Sequence, residues 1–406
     1  MNEQQLNEFL GDNEDKHLGT GWWANVLSAF FGVLAFGGVL CLYFPQLLTT
    51  PELRAHYPVA TIRLLIQGLI WSSLFFGTIG ALLRKKKVLA LFGLGLATVA
   101  ALLGGANVKL PGELSDGPAI GLDYFLLDLF ATALIYVPLE RIWPRYPDQS
   151  TFRSQWTLDI IYFLSTHIPV QVVSFLVLLP ATEATRYLAI PLVAQFIASL
   201  PILIQFLLAV IVADIAEWTI HFALHKIPFL WRFHSIHHSS KQLDWIAGSR
   251  SHVVDDILVR GFILVPMMFC FSHEIVLAYL IFVTVHATWT HCNFGPSVKW
   301  LEPFLVMPRY HHWHHSSQAE AIDKNFAIHF PWIDKLFGTY YYPQHWPEKY
   351  GLDGEEIPRG FLRQTIMPFF KRNEKTAKTP ELKAEHPEEY TSLFPSPRPD
   401  QGISSA

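Results

Sequence analysis

The sequence predicts an all-α integral membrane helical bundle carrying a histidine-rich di-metal domain on its cytoplasmic side. Three observations predict it. Of 406 residues, 51% are hydrophobic and only 16% charged, where soluble domains carry about 25% charged residues. Several apolar runs approach the ~20 residues that cross a bilayer as one helix. Thirteen of the 19 histidines fall between His221 and His315, eleven of them in four clusters. The formal net charge of −4 leaves no basic footprint for nucleic acid. Cys41, Cys270 and Cys292 are scattered and form no CxxC pair, against both a disulfide framework and a zinc-thiolate site. The acidic N-terminus lacks the basic segment of a cleaved signal peptide.

Residues 1–20 read as a polar N-terminal segment and 21–145 as a membrane module of about four spans, at 22–44, 61–83, 88–105 and 122–139. The third is rich in glycine and alanine, as closely packed membrane helices are. A polar loop, ERIWPRYPDQSTFRSQ, marks the boundary to a second region over 150–345. There the apolar runs are 157–180, 188–213 and 257–285, the last broken near Pro266 and Ser272 into a hairpin of two half-depth helices. Residues 371–406 are charged and proline-rich and read as a disordered tail. The loop Arg84-Lys85-Lys86-Lys87 is cytoplasmic by the positive-inside rule, and counting crossings from it puts the histidines on the same side.

The clusters repeat a pattern. HFALH holds His221 and His225, which share one helix face at i and i+4. HSIHH holds His234, His237 and His238, and RYHHWHH repeats that spacing with His311, His314 and His315. On a helix the three residues of an HxxHH unit converge on one side, and His312 is an extra pointing elsewhere. HATWTHCN holds His286 and His291, about 140° apart on an ideal helix, so both ligate only if the helix ends between them. His291, beside Asn293 and a Gly-Pro break, is the better ligand, and His252 stands between clusters as ligand or supporting donor.

Eight or more imidazoles exceed what one ion uses and point to two metals in one cavity. The bland alternative is hydrogen-bonded core histidine, which suits His56, His167, His273, His329 and His345. It fails for the clusters, because burying so many polar rings unpartnered costs about 2–7 kcal/mol each. An HExxH zinc protease is excluded, since Phe222 follows His221 and Leu277 stands four after His273. No G-x-S-x-G motif or P-loop occurs. Asp214 and Glu217 precede His221 by seven and four residues. They read as carboxylates that accept the second N–H of a metal-bound ring, or as partners of Arg232 or Arg250.

These boxes, with Trp218, LWRFHSIHHS, HCN, DKNF and WIDKLFGTYYYP, resemble the fatty acid hydroxylase/sterol desaturase superfamily over roughly residues 155–345. Two elements depart from it: His221-Phe222 where H-R is usual, and Arg250-Ser251-His252-Val253 without the expected proline. The resemblance implies two iron ions, with zinc able to substitute, and O2 as co-substrate. It implies a lipid drawn from the bilayer (fatty acyl, sterol or ether lipid), hydroxylated with electrons from a ferredoxin or cytochrome b5-like donor and its reductase. It implies metal ligands at His221, His225, His234, His237, His238, His252, His286, His291, His311, His314 and His315, with catalytic roles for Asp214 and Asn293. The alternatives are desaturation at the same site and a non-catalytic, metal-dependent lipid-binding or transport protein.

Overall fold

A computed structural model describes residues 2–12, 15–112, 114, 119–168, 183, 187, 191–354 and 357–370. Among these residues every regular element is a helix, and β pairing is limited to single bridges at Pro144–Phe294 and Ser316–Tyr350. The expected tail, 371–406, lies outside the described residues, as does the run 157–180 beyond Ile168.

A short helix, α1 (Glu3–Leu10), is closed by an N-terminal capping box between Asn2 and Gln5. Four long apolar helices follow: α2 (Trp22–Tyr43), α3 (Val59–Leu83), α4 (Val88–Leu102) and α5 (Leu122–Ile142). With α6 (Trp156–His167) and α7 (Ile202–Lys226) they bring the chain to the histidines. Among the described residues, helices α2, α3, α4 with its following turn, α5 and α7 are the five long and apolar enough to cross a membrane.

Between lipid-embedded helices there is no hydrophobic driving force, so small residues and interhelical hydrogen bonds hold the contact. That is how α2, α3 and α4 associate. Ser28 Oγ donates to the Ser73 carbonyl at 2.9 Å, and Ser73 Oγ donates back to the Ser28 carbonyl at 2.8 Å. Gly93 of α4 lies directly on Ser28, where any Cβ would overlap the Ser28 backbone.

The sixth apolar run was expected at 188–213; the membrane helix instead starts after Pro201 and runs to Lys226. Proline fixes the entry angle and offers no N–H. Hydropathy stops early because Asp214, Glu217 and His221 are polar, but all three lie on the buried face of α7. The expected hairpin forms from α9 (Val253–Cys270) and α10 (His273–His291), joined at Phe271-Ser272. Its helix runs straight through Pro266, so only the second expected break occurs.

α7, α9 and α10 share one apolar core that includes Val210, Ala213, Leu264, Met267, Ile275 and Tyr279. α5 ties the N-terminal helices to it. The Tyr136 hydroxyl donates to the Val285 carbonyl of α10. Glu140 accepts the backbone N–H groups of Trp245 and Asn293 at 2.8 and 2.9 Å. Short helices α8 (Pro228–His234), α11 (Pro308–His314) and α12 (Pro331–Phe337) start with proline at the first turn and carry or brace the remaining histidines.

Candidate metal centre

Nine histidines form two adjoining groups. His221, His225, His234, His238 and His314 make the first, and His237, His291, His311 and His315 the second; within each group the ligand atoms all lie within 4.8 Å of one another. The groups touch through His238, whose ring stacks on His315 at 4.6 Å between centroids.

The HxxHH units do not act as single faces. Each splits, with the i and i+4 residues entering one group and the i+3 residue the other. His234 and His238 join the first group while His237 joins the second; His311 and His315 join the second while His314 joins the first. The expected convergence on one side is corrected here for a geometric reason. α8 ends at His234, and His237 and His238 sit in a separate 3-10 turn. In α11, positions i+3 and i+4 diverge by about 100°, enough to serve two centres flanking the helix.

The protons are placed by the outer partners. Nδ1 of His221 donates to the Phe326 carbonyl (2.9 Å), that of His237 to Arg250 (3.1 Å), that of His291 to Ala287 (2.7 Å) and that of His314 to Lys324 (2.8 Å). A carbonyl only accepts, so in these neutral rings Nε2 carries the lone pair. Asp255 takes the Nδ1 proton of His234 at 2.8 Å, and Asp323 lies 3.4 Å from Nδ1 of His225. Asp323 reaches back because it adopts a left-handed φ of 58°, a conformation aspartate tolerates better than most residues.

In the His221–His234 and His237–His291 pairs both Nδ1 protons are thereby taken, so two Nε2 lone pairs face each other; the other Nε2 atoms of each group are equally close. His221 and His234 approach to 3.1 Å, and His225 and His238 to 3.1 Å. In the second group the separations are 3.0 Å for His311–His291, 3.1 Å for His291–His315 and 3.3 Å for His291–His237. Facing lone pairs repel unless a cation lies between them. Two nitrogens each about 2.0–2.1 Å from one ion are separated by these distances when they subtend about 90–105° at it. The donor set fits a metal ion in each group.

Burial and mutual repulsion keep the rings neutral. Desolvation, reinforced by neighbouring imidazoles, holds His237, His238, His311 and His315 well below the usual histidine range. Burial takes His314 down to about 3. Neutral imidazole is the form that ligates.

Two expected ligands lie elsewhere. His252 caps α9, its Nδ1 accepting from the Val254 N–H at 3.0 Å and its Nε2 donating to the Thr365 carbonyl at 3.0 Å. His286 pairs with His329 at 2.9 Å and donates to the Val306 carbonyl at 3.0 Å. Both nitrogens of each ring are thereby occupied. Neither Asp214 nor Asn293 touches a site imidazole. Asp214 accepts three backbone N–H groups, from Ile328, His329 and Phe330, at 2.9, 3.1 and 2.7 Å. Asn293 clasps the backbone of Tyr146 with both ends of its amide. Arg250 is fully buried against Asp159, not Asp214 or Glu217.

Sequence reasoning missed Asp255, Asp323 and Asp334. Asp334 is wholly buried and accepts from Trp218 Nε1, the Tyr310 hydroxyl and the backbone of Phe326 and Ala327. The only signal was that Asp323 and Asp334 lie within the quoted segments DKNF and WIDKLFGT, and Asp255 two residues beyond Arg250-Ser251-His252-Val253.

The fold and site together define a multi-pass membrane helical protein with two buried imidazole groups fit to hold metal ions. Residues 206–339 match the family model for fatty acid hydroxylase. An ornithine lipid hydroxylase, OlsE, of Rhizobium tropici is 28% identical over 251 residues, which are 59% of this chain and 72% of that protein. Human alkylglycerol monooxygenase is 28% identical over 131 residues, 31% of this chain and 28% of its own length. The chain thus spans under a third of that second relative. No solved structure matches it.

Proposed function

We propose that this protein hydroxylates a bilayer lipid at an unactivated C–H bond, with iron in both imidazole groups. The balance is R–H + O2 + two electrons + two protons giving R–OH + H2O. The carrying observation is that nine buried imidazoles converge in two groups whose ligand atoms lie within 4.8 Å of one another, with facing Nε2 lone pairs at His221–His234 and His237–His291 that a cation in each group would reconcile. Five imidazoles in the first group exceed the four ligands zinc usually takes and suit iron's larger coordination number. Iron held by these residues would supply the redox chemistry that activates O2 for C–H hydroxylation.

The chain's own residues do the rest. His221, His225, His234, His238 and His314 hold one ion; His237, His291, His311 and His315 hold the other. Asp255 fixes the tautomer of His234, and Asp323 lies 3.4 Å from Nδ1 of His225. Asp214 pins the strand of backbone at 328–330, next to Phe326, whose carbonyl orients His221. The Arg84–Lys87 loop sets the cytoplasmic side, and on that topology the metals face the cytosol, where a ferredoxin or cytochrome b5-like protein delivers electrons. Residues 21–145 form the membrane module and 150–345 the catalytic region.

The test is lipid mass spectrometry on membranes supplied with isotopically labelled O2. The expected product gains one labelled oxygen and disappears in His237→Ala. A product that has lost two hydrogens and gained no label establishes desaturation instead, and no product from iron-loaded, reduced protein removes the oxygenase reading.

A further inference from the structure

His312 is buried among ligands yet belongs to neither group. Its Nε2 donates to the Cys292 carbonyl at 3.1 Å, which leaves Nδ1 to accept the Tyr350 hydroxyl at 2.8 Å. The ring thus touches the backbone next to His291 and is itself covalently next to His311. On its outer side it meets the Trp346 ring edge-on at 5.0 Å between centroids.

Trp346 is half-buried and lines a surface cleft of about 560 Å³ with Arg145, Tyr146, His345 and Glu348. The Arg145 guanidinium lies 5.5 Å from the Trp346 ring centre and 5.1 Å from that of Tyr146. The Tyr146 and Tyr350 hydroxyls are 3.2 Å apart. Aromatic contact therefore runs from the protein surface to His312, which a peptide bond joins to His311 of the four-imidazole group.

We propose that electrons enter the second metal group through Trp346 and His312, from a one-electron carrier protein seated over the Arg145–Trp346 cleft. The inference rests on the oxygenase reading, which requires an external reductant. Electron tunnelling falls steeply with distance and is carried best by contacting π systems and covalent bonds. Here one ring contact and one peptide link join the surface to His311. Arg145 above Trp346 disfavours a positive charge on the indole, so the electron passes in one tunnelling step and leaves no hole on the ring. Each encounter oxidises the carrier by one electron and reduces one metal ion by one. No bond forms or breaks, and two encounters supply the two electrons of one hydroxylation. The carrier presents an acidic rim to Arg145.

The test uses full-length iron-loaded protein and two carriers, a plant-type ferredoxin and cytochrome b5, each with its reductase. Reduction of the metal site is followed spectroscopically, with dithionite as the small reductant. In Trp346→Leu, reduction by whichever carrier serves the wild type slows by an order of magnitude or more, while iron content and reduction by dithionite stay at wild-type values. Trp346→Phe recovers the carrier-dependent rate, and Trp300→Leu, at an exposed tryptophan elsewhere, leaves it unchanged. Carrier binding to the metal-free protein weakens in Arg145→Glu.

Carrier-dependent reduction of Trp346→Leu at the wild-type rate overturns the route. So does an equal slowing with dithionite, which marks simple structural damage, and so does unaltered carrier binding in Arg145→Glu. Wild-type protein that loads no iron, or loads iron that even dithionite cannot reduce, removes the oxygenase reading itself and the route with it.

Discussion

Asp255 Oδ2 accepts the Nδ1 proton of His234 at 2.8 Å, and the pair is buried. The carboxylate fixes which nitrogen of His234 faces the first imidazole group and makes that nitrogen a stronger donor. Partners of this kind are worth about 10–100-fold in metal affinity. Asp255→Ala is expected to weaken one of two bound ions by about that factor and leave the other in place. Chelator competition followed by metal analysis separates the two.

The split of each HxxHH unit gives neighbouring histidines different consequences. His238→Ala leaves four imidazoles in the first group, whereas His237→Ala leaves three in the second. His237→Ala and His314→Ala should both lower bound metal and abolish hydroxylation, and His237→Ala should drop the content toward one ion per chain. Equal, full occupancy in His237→Ala and the parent protein contradicts the assignment.

Acid should destabilise the protein in a defined direction. Burial depresses His314 to about 3, while an unfolded histidine titrates at about 6.5. Between those values the unfolded chain binds more protons than the folded one, so stability rises with pH there. The contribution is complete above about pH 6.5 and is lost as pH falls toward the folded value. Detergent-solubilised protein should melt at lower temperature at pH 5.5 than at pH 7.5, and metal loss should track the melt. A Tm unchanged between the two would mean that the rings are exposed.

Asp214 acts through backbone, not through an imidazole. Its removal strands three N–H groups next to the segment that orients His221, and each stranded buried donor costs about 1–3 kcal/mol. Asp214→Ala should therefore lower thermal stability by several kcal/mol and weaken metal binding, whereas Asp214→Asn, which keeps one acceptor oxygen, should recover part of both. Thermal unfolding with metal analysis reads both effects.

The sequence by itself determined the helical class, the membrane segments 22–43, 59–83, 88–102 and 122–142 to within a few residues, and a histidine set that contains the nine gathered here together with His252 and His286, which lie outside both groups. It could do so because hydropathy and spacing are properties of one continuous segment. Only the tertiary structure decided that His237 and His238, adjacent in the chain, serve different groups, and that His286 faces His329 while His291 faces His311. It also supplied Asp255, Asp323 and Asp334 as the groups that orient rings and loops. Such pairings depend on how separate segments approach one another, on where α8 stops and on the left-handed turn at Asp323, and periodicity within a single helix carries no information about distance to another.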